Sequence, residues 1–360
     1  MRFEYVAHPS RVVFGPGRAS EVASEVDRLG VGRVFLVADG QAASLADAVD
    51  DQLGSRVAGR WSEVIQHVPV ELAERARAAT TEAGADAIVC LGGGSSTGLA
   101  KAIALSHRLP IVAVPTTYAG SEMTTIYGLT GGRHKQTGTS PDVLPKVVVY
   151  DPLLTVGLPA SVTGPSAFNA LAHSVEALWA TGCNPVTTAL ALEGVRAISR
   201  SLPTVMADGS DLAGRSDVLY GAYLSGIALG TTSAGLHHKL CHVLGGTFNL
   251  VHADAHAVVL PHVVAFNAPA LPDEMARLAA ALGAPGDDPA AALWDLATAS
   301  AVATSLADLG LTADDLPEAA QRAVEAIGEN PVPIDVDAVR GLLGRAFAGT
   351  RPEGSKPMGV

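Results

Sequence analysis

Six of the chain's eleven histidines fall in one stretch, in Leu236-His237-His238-Lys239-Leu240-Cys241-His242 and Val251-His252-Ala253-Asp254-Ala255-His256, with His262 beyond. A seventh, His173, stands four residues after Asn169. If these stretches are helical, Asn169/His173, His238/His242 and His252/His256 each lie at i and i+4 on one helix face, where their side chains can converge on one point. Two chemistries suit that convergence: a metal site, or a pocket that handles protons and holds anions. His8, His67, His107 and His134 stand apart and are read as packing or helix-end residues.

A second constellation lies upstream. Ala87-Ile88-Val89-Cys90-Leu91 reads as a strand, runs into Gly92-Gly93-Gly94-Ser95-Ser96-Thr97-Gly98 and passes directly into a helical Leu99-Ala100-Lys101-Ala102-Ile103-Ala104. Such a turn presents unpaired amides and the positive end of a helix dipole to an anion, with no side chain barring a pyrophosphate from the backbone. Asp39 follows another strand-like run, Arg33–Ala38, where a carboxylate can accept from ribose hydroxyls and repel a 2′-phosphate. In the Rossmann fingerprint the glycines come first and the acid follows. Here Asp39 precedes Gly92 by 53 residues, so a different dinucleotide fold is expected.

These residues need elements to hold them. Strands are expected near Arg11–Phe14, Arg33–Ala38, Trp61–Ile65, Ala87–Leu91, Ile111–Val114 and Lys146–Tyr150, with helices over Ala42–Leu53, Val70–Ala83 and Ser96–Ser106. That alternation predicts a parallel sheet wrapped by crossover helices. After Asp151-Pro152 the apolar residues recur at three and four spacing, which predicts an all-helical second half. Breaks at Asn184-Pro185, Ala207–Asp211, Gly245-Gly246, Asn267–Pro269, Gly283–Pro289 and Asn330–Pro333 divide it into seven or eight helices. The expected organisation is an α/β cofactor domain over 1–156, a helical catalytic domain over 157–348 and a flexible tail over 349–360.

Composition narrows the function. With 24 basic against 36 acidic residues the net charge is −12, which repels nucleic acid and anionic lipid. No apolar stretch approaches membrane-spanning length and the start lacks a signal-peptide pattern, so a soluble cytoplasmic protein is expected. Three widely spaced cysteines without a CxxC pair indicate neither disulfides nor a thiolate zinc site.

Taken together, the Gly-Gly-Gly-Ser turn, Pro115-Thr116-Thr117-Tyr118-Ala119-Gly120-Ser121-Glu122, Asp151-Pro152, Asn169-x3-His173 and His238-x3-His242-x9-His252 resemble the iron-containing (group III) alcohol dehydrogenase superfamily over essentially the whole chain. Gly94–Lys101, with Thr97 where the superfamily usually has Asp, Tyr118, Asn169-Ala-Leu-Ala-His173, His237–His242 and His256-Ala-Val-Val-Leu-Pro-His262 resemble the maleylacetate reductase branch.

The resemblance implies the dehydroquinate synthase-like fold and NAD(P)H-dependent reduction of the C=C bond of maleylacetate to 3-oxoadipate in aromatic-compound degradation. It implies a homodimer acting on a small dicarboxylate. It places the cofactor on Asp39, Gly92, Gly93, Gly94, Ser95, Thr97, Thr116, Thr117, Tyr118, Ser121, Thr124 and Lys135, and catalysis on His238, His242, His173, His252, Asn169 and Lys239. Metal-dependent members of the superfamily bind their ion at the positions of Asn169, His173, His238 and His252, and here Asn169 replaces the Asp. Losing the anionic ligand leaves neutral donors, so no metal is expected and those positions are vestigial. Asp39, an acid that many members of the branch lack, favours NADH, with NADPH also possible. Two rivals remain: a metal-dependent alcohol dehydrogenase, and a dehydroquinate synthase-like lyase or cyclase.

Overall fold

Four strands of the first half are apolar along their whole length and are buried on both faces, as expected when helices cover both sides of a parallel sheet. The computed structural model describes residues 2–8, 10–131 and 134–353, except the side chains of 134 and 135. These residues form two compact units, Ala7–Gly157 and Leu158 onward, with residues 2–6 grouped with the second. The expected tail falls from 354 onward outside the described residues.

The first unit is a six-stranded parallel sheet of β1 (Arg11–Phe14), β2 (Val34–Ala38), β3 (Val57–Trp61), β4 (Ala87–Gly92), β5 (Ile111–Pro115) and β8 (Val147–Tyr150), in the order β1-β8-β5-β4-β2-β3. Strands β6 (Ile126–Gly131) and β7 (His134–Thr139) make a separate antiparallel pair. The helices are α1 (Val22–Leu29), α2 (Ala43–Leu53), α3 (Val70–Glu82) and α4 (Gly94–His107). One core packs Val22 and Val26 of α1 and Val49 and Leu53 of α2 against Leu36, Val89, Val112 and Val149 of the sheet.

The expected α/β class holds, but the third strand begins earlier than its pattern suggests. It occupies Val57–Trp61 rather than Trp61–Ile65. As an edge strand it is only half-buried, so its apolar signal is weak, and Gly59 sits where a Cβ would come within 3.0 Å of the Phe35 ring. Helix α1 and the β6–β7 pair escaped the pattern reading as well. Both strands of that pair carry polar residues and neither belongs to the main sheet.

The second unit has no strand among its described residues. It holds nine α-helices there, more than the seven or eight expected: α5 (Ala160–Ala177), α6 (Pro185–Ala207), α7 (Leu212–Gly230), α8 (Leu236–Phe248), α9 (His252–Asn267), α10 (Pro272–Ala281), α11 (Pro289–Ala299), α12 (Leu316–Ala326) and α13 (Val336–Phe347). The Asn184 side chain accepts from the amides of Val186 and Thr187, starting α6 as its Asn-Pro signal suggests. Gly245-Gly246 is not a break. Helix α8 runs through it and stops at Asn249, whose φ of 57° supplies the left-handed cap.

Helix α5 is buried continuously from Thr163 to Ala177, so it is the spine of this unit. Small residues let α6 and α7 close on it. A Cβ on Gly194 would lie 2.8 Å from Ser174 Oγ and 3.2 Å from the Gly221 carbonyl.

Candidate active site

In the α/β unit, β4 ends at Gly92 with φ of 133°, and α4 begins two residues later. A Cβ at Gly92 would lie 2.4 Å from Ser96 Oγ and 3.2 Å from Asp39 Oδ2. Only glycine allows that backbone angle and that approach together. Asp39 stands at the end of β2, the neighbour of β4. Its Oδ1 accepts from the amides of Gln41 (2.9 Å) and Ala42 (3.0 Å), and Oδ2 from Ser96 Oγ at 3.3 Å.

On the other side of the turn, the Thr116 amide donates to the Gly92 carbonyl at 3.0 Å. Thr117 and Ser121 sit 3.2 Å and 3.9 Å from where Cβ atoms of Gly93 and Gly94 would be. Among the described residues no side chain caps α4, so its first amides are left to an incoming anion. Ser95 lies in that first turn, half-buried.

The structure therefore gathers Asp39, Gly92, Gly93, Gly94, Ser95, Thr116, Thr117 and Ser121 about one turn. Three other expected cofactor residues point inward. Thr97 is buried with its hydroxyl on the Cys90 thiol, which burial beside Glu122 pushes up to about 12. Tyr118 is fully buried. Thr124 is buried against Lys101, whose Nζ donates to the Ser121, Thr124 and Ile126 carbonyls at 2.7–2.8 Å and to Thr124 Oγ1 at 2.9 Å. The Lys135 side chain lies outside the described residues.

Burial lowers Lys101 to about 7, although its oxygen cage suits an ammonium. Glu122 is buried nearby and accepts from the Tyr150 hydroxyl at 2.7 Å. Lys101 thus ties the segment bearing Ser121 to α4, a function its place in an ordinary helical run did not disclose.

In the helical unit, α5 brings Asn169 and His173, α8 brings His237, His238, Lys239, Cys241 and His242, and α9 brings His252 and His256. The rings of His173 and His238 stack with centroids 5.2 Å apart, and those of His242 and His252 stack at 5.8 Å. His256 joins the groups: its Nδ1 lies 2.7 Å from His237 Nε2 and its Nε2 3.0 Å from His252 Nε2. Cys241 Sγ is 3.8 Å from His237 Nε2. Lys239 is half-buried on α8. His262 does not join, because it packs edge-on against Trp294.

Burial and the neighbouring imidazoles hold His173 and His256 well below the ordinary histidine range, and burial beside His238 takes His237 to about 3. These three rings are therefore neutral at pH 7, donors and acceptors rather than cations. Glu176, on α5, was missed by the pattern reading. It accepts from His238 Nδ1 at 2.5 Å and from the backbone amides of Gly235 (2.9 Å) and His237 (2.6 Å). Burial opposes its charge, but His238, His237 and the Gly235 amide prevail and bring it down to about 2. Its spacing was the available signal, since 169, 173 and 176 are i, i+4 and i+7 of one face.

The sequence matches a family model described as iron-containing alcohol dehydrogenase over residues 9–152, and its C-terminal counterpart, described as Fe-containing alcohol dehydrogenase family, over residues 163–347. The chain is 47% identical to the maleylacetate reductase of Burkholderia cepacia, covering 97% of this chain and 99% of that protein. It is 48% identical to maleylacetate reductase 2 of Cupriavidus pinatubonensis, covering 97% and 98%. The crystal structure of maleylacetate reductase from Agrobacterium tumefaciens superposes with a TM-score of 0.94 at 45% identity, covering 98% of this chain and all of the other.

These findings correct one expectation. The absence of a metal was inferred from Asn169, but both matching models are described by their iron. The structure also brings one donor atom each of His237, Cys241 and His256 within 4.8 Å of one another. Beside them, His173 Nδ1 and His238 Nε2 are buried without a hydrogen-bond partner among the described residues. Neutral imidazoles and a thiol suit a borderline transition ion even without the acid at 169, so the donor set fits a metal.

Proposed function

The chain belongs to the iron-containing alcohol dehydrogenase family, and from that premise we propose that it reduces the C=C bond of maleylacetate with NADH, giving 3-oxoadipate. The observation that most directly supports this reading is its 47% identity, across 97% of its length, to a maleylacetate reductase. We take residues 1–156 as the cofactor domain and 157–348 as the catalytic domain. The protein is assigned to the cytoplasm as a homodimer, which cell fractionation and sedimentation velocity test. Among the described residues, no helix is long and apolar enough to cross a membrane.

The cofactor's pyrophosphate would lie on the Gly92–Gly94 turn and the open amides of α4, with Thr117 and Ser121 beside it. Asp39, next to Gly92, would accept from a ribose hydroxyl and repel a 2′-phosphate there, which favours NADH over NADPH.

A bound NADH would supply a hydride, and the alkene carbon β to the ketone is the one that accepts it. The π electrons pass to the ketone oxygen, and a proton then joins the α carbon, so that NADH and one proton are consumed per double bond. The developing enolate needs preorganised donors and the carbon needs an acid. His238 or His242 supplies the proton. His173, His252, Asn169 and Lys239 hold the carbonyl and carboxylate oxygens.

An ion on His237, Cys241 and His256, or on the nitrogens offered by His173 and His238, would polarise a substrate oxygen as a Lewis acid. Oxidation of NADH on adding maleylacetate, with no reduction of NAD⁺ by simple alcohols, is the expected result. The opposite pattern assigns the chain to the alcohol dehydrogenases instead.

A further inference from the structure

We infer that Glu176 is a positioning residue, which keeps a proton on His238 Nδ1 and thereby presents His238 Nε2 as the atom that meets the reaction. The inference deepens the proposed reductase reading and rests on it for the identity of what His238 Nε2 meets.

Asn169, His173 and Glu176 follow one another at i, i+4 and i+7, so the acid absent at 169 reappears nearly two turns along the same face of α5. Its oxygens have defined partners. Oε1 accepts from the His237 amide at 2.6 Å, and Oε2 from the Gly235 amide at 2.9 Å and from His238 Nδ1 at 2.5 Å. Gly235 permits this approach, since a Cβ there would lie 2.9 Å from Oε1.

An ionised carboxylate can only accept, so whichever protonation state His238 takes, Nδ1 carries hydrogen. Its other nitrogen, Nε2, is buried and has no hydrogen-bond partner among the described residues. A histidine gripped by a carboxylate at one nitrogen and unengaged at the other is the arrangement that fixes ring orientation and tautomer in acid–base sites and at metal ligands alike. The amides that Glu176 also holds begin α8, which carries His238. One side chain therefore fixes both the ring and the element it stands on.

Glu176→Gln tests this. An amide oxygen at the Oε1 position still accepts from the His237 amide, but an NH₂ at the Oε2 position gives up the Gly235 amide and donates to His238 Nδ1, driving the ring proton to Nε2. Histidine-¹⁵N-labelled protein, with His238→Gln to assign the signal, is expected to show a protonated Nδ1 in the wild type and the inverted tautomer in Glu176→Gln. Turnover of maleylacetate is expected to fall on the order of 10²-fold or more in kcat, with KM for NADH unchanged. Glu176→Asp should recover part of that loss.

A wild-type ring with its proton on Nε2 alone overturns the inference. So does a Glu176→Gln protein that keeps wild-type kcat, and so does a loss of activity that follows the melting temperature without a change of tautomer. If Glu176→Gln fails to fold, the wild-type spectrum alone decides. Failure of the wild type to oxidise NADH with maleylacetate would instead remove the reductase reading and leave the tautomer measurement standing.

Discussion

On the proposed reading, Asp39 and the paired histidines carry the chemistry that single substitutions can reach. Asp39 Oδ1 is committed to two backbone amides, while Oδ2 has one long contact with Ser96 beside the glycine turn. Asp39→Ser should therefore raise kcat/KM for NADPH relative to NADH by roughly tenfold, about 1.4 kcal/mol, by removing a repulsive charge. An unchanged ratio would show that Asp39 does not face the ribose. His238→Ala and His242→Ala should each lower kcat/KM for maleylacetate on the order of 10²-fold, with little effect on NADH binding measured by fluorescence titration. Equal losses from His262→Ala would count against the assignment, because that ring packs on Trp294, away from the others.

Among the elements, the junction of α5 with the start of α8 has its own pH signature. Glu176 sits at about 2 in the folded chain against 4.5 for an ordinary glutamate. A depressed carboxylate stabilises the fold fully above 4.5, and that contribution fades as pH falls from 4.5 toward 2. It amounts to on the order of 3 kcal/mol near neutrality. Urea denaturation should show Glu176→Gln less stable than wild type at pH 7, with the gap narrowing steadily below pH 4.5; a gap independent of pH would mean the charge is not what stabilises. How much was legible in the sequence also differs by element. The β4–α4 turn was, because Gly92–Gly94 follow an unbroken apolar run, and so were the i, i+4 histidine pairs. Edge strand β3 was not, because half-burial blurs its pattern around Gly59. The roles of Glu176 and Lys101 were hidden for a different reason: their partners are backbone atoms of distant segments, 59 to 61 residues away for Glu176 and 20 to 25 for Lys101. The metal expectation failed because it weighed Asn169 alone and left out His237, Cys241 and His256.

At the scale of the whole molecule, a net charge of −12 meets an anionic cofactor and a substrate with two carboxylates. Association should then be slowed at low ionic strength, where fields extend about 30 Å, and relieved near 0.15 M, where they extend about 8 Å. kcat/KM for maleylacetate is expected to rise between about 10 mM and about 150 mM KCl; a fall would reveal a local positive field strong enough to outweigh the total. The grouping of residues 2–6 with the unit that otherwise begins at Leu158 bears on synthesis. Those residues leave the ribosome before the α/β unit, yet the helices they accompany emerge only after it. At about 5–20 residues per second they wait on the order of ten seconds or more for their partners. The α/β unit can close on itself meanwhile, whereas the helical unit joins a segment made before that unit to helices made after it. An N-terminal fusion would thus be felt by the later-made unit, long after the ribosome has passed the site of the change.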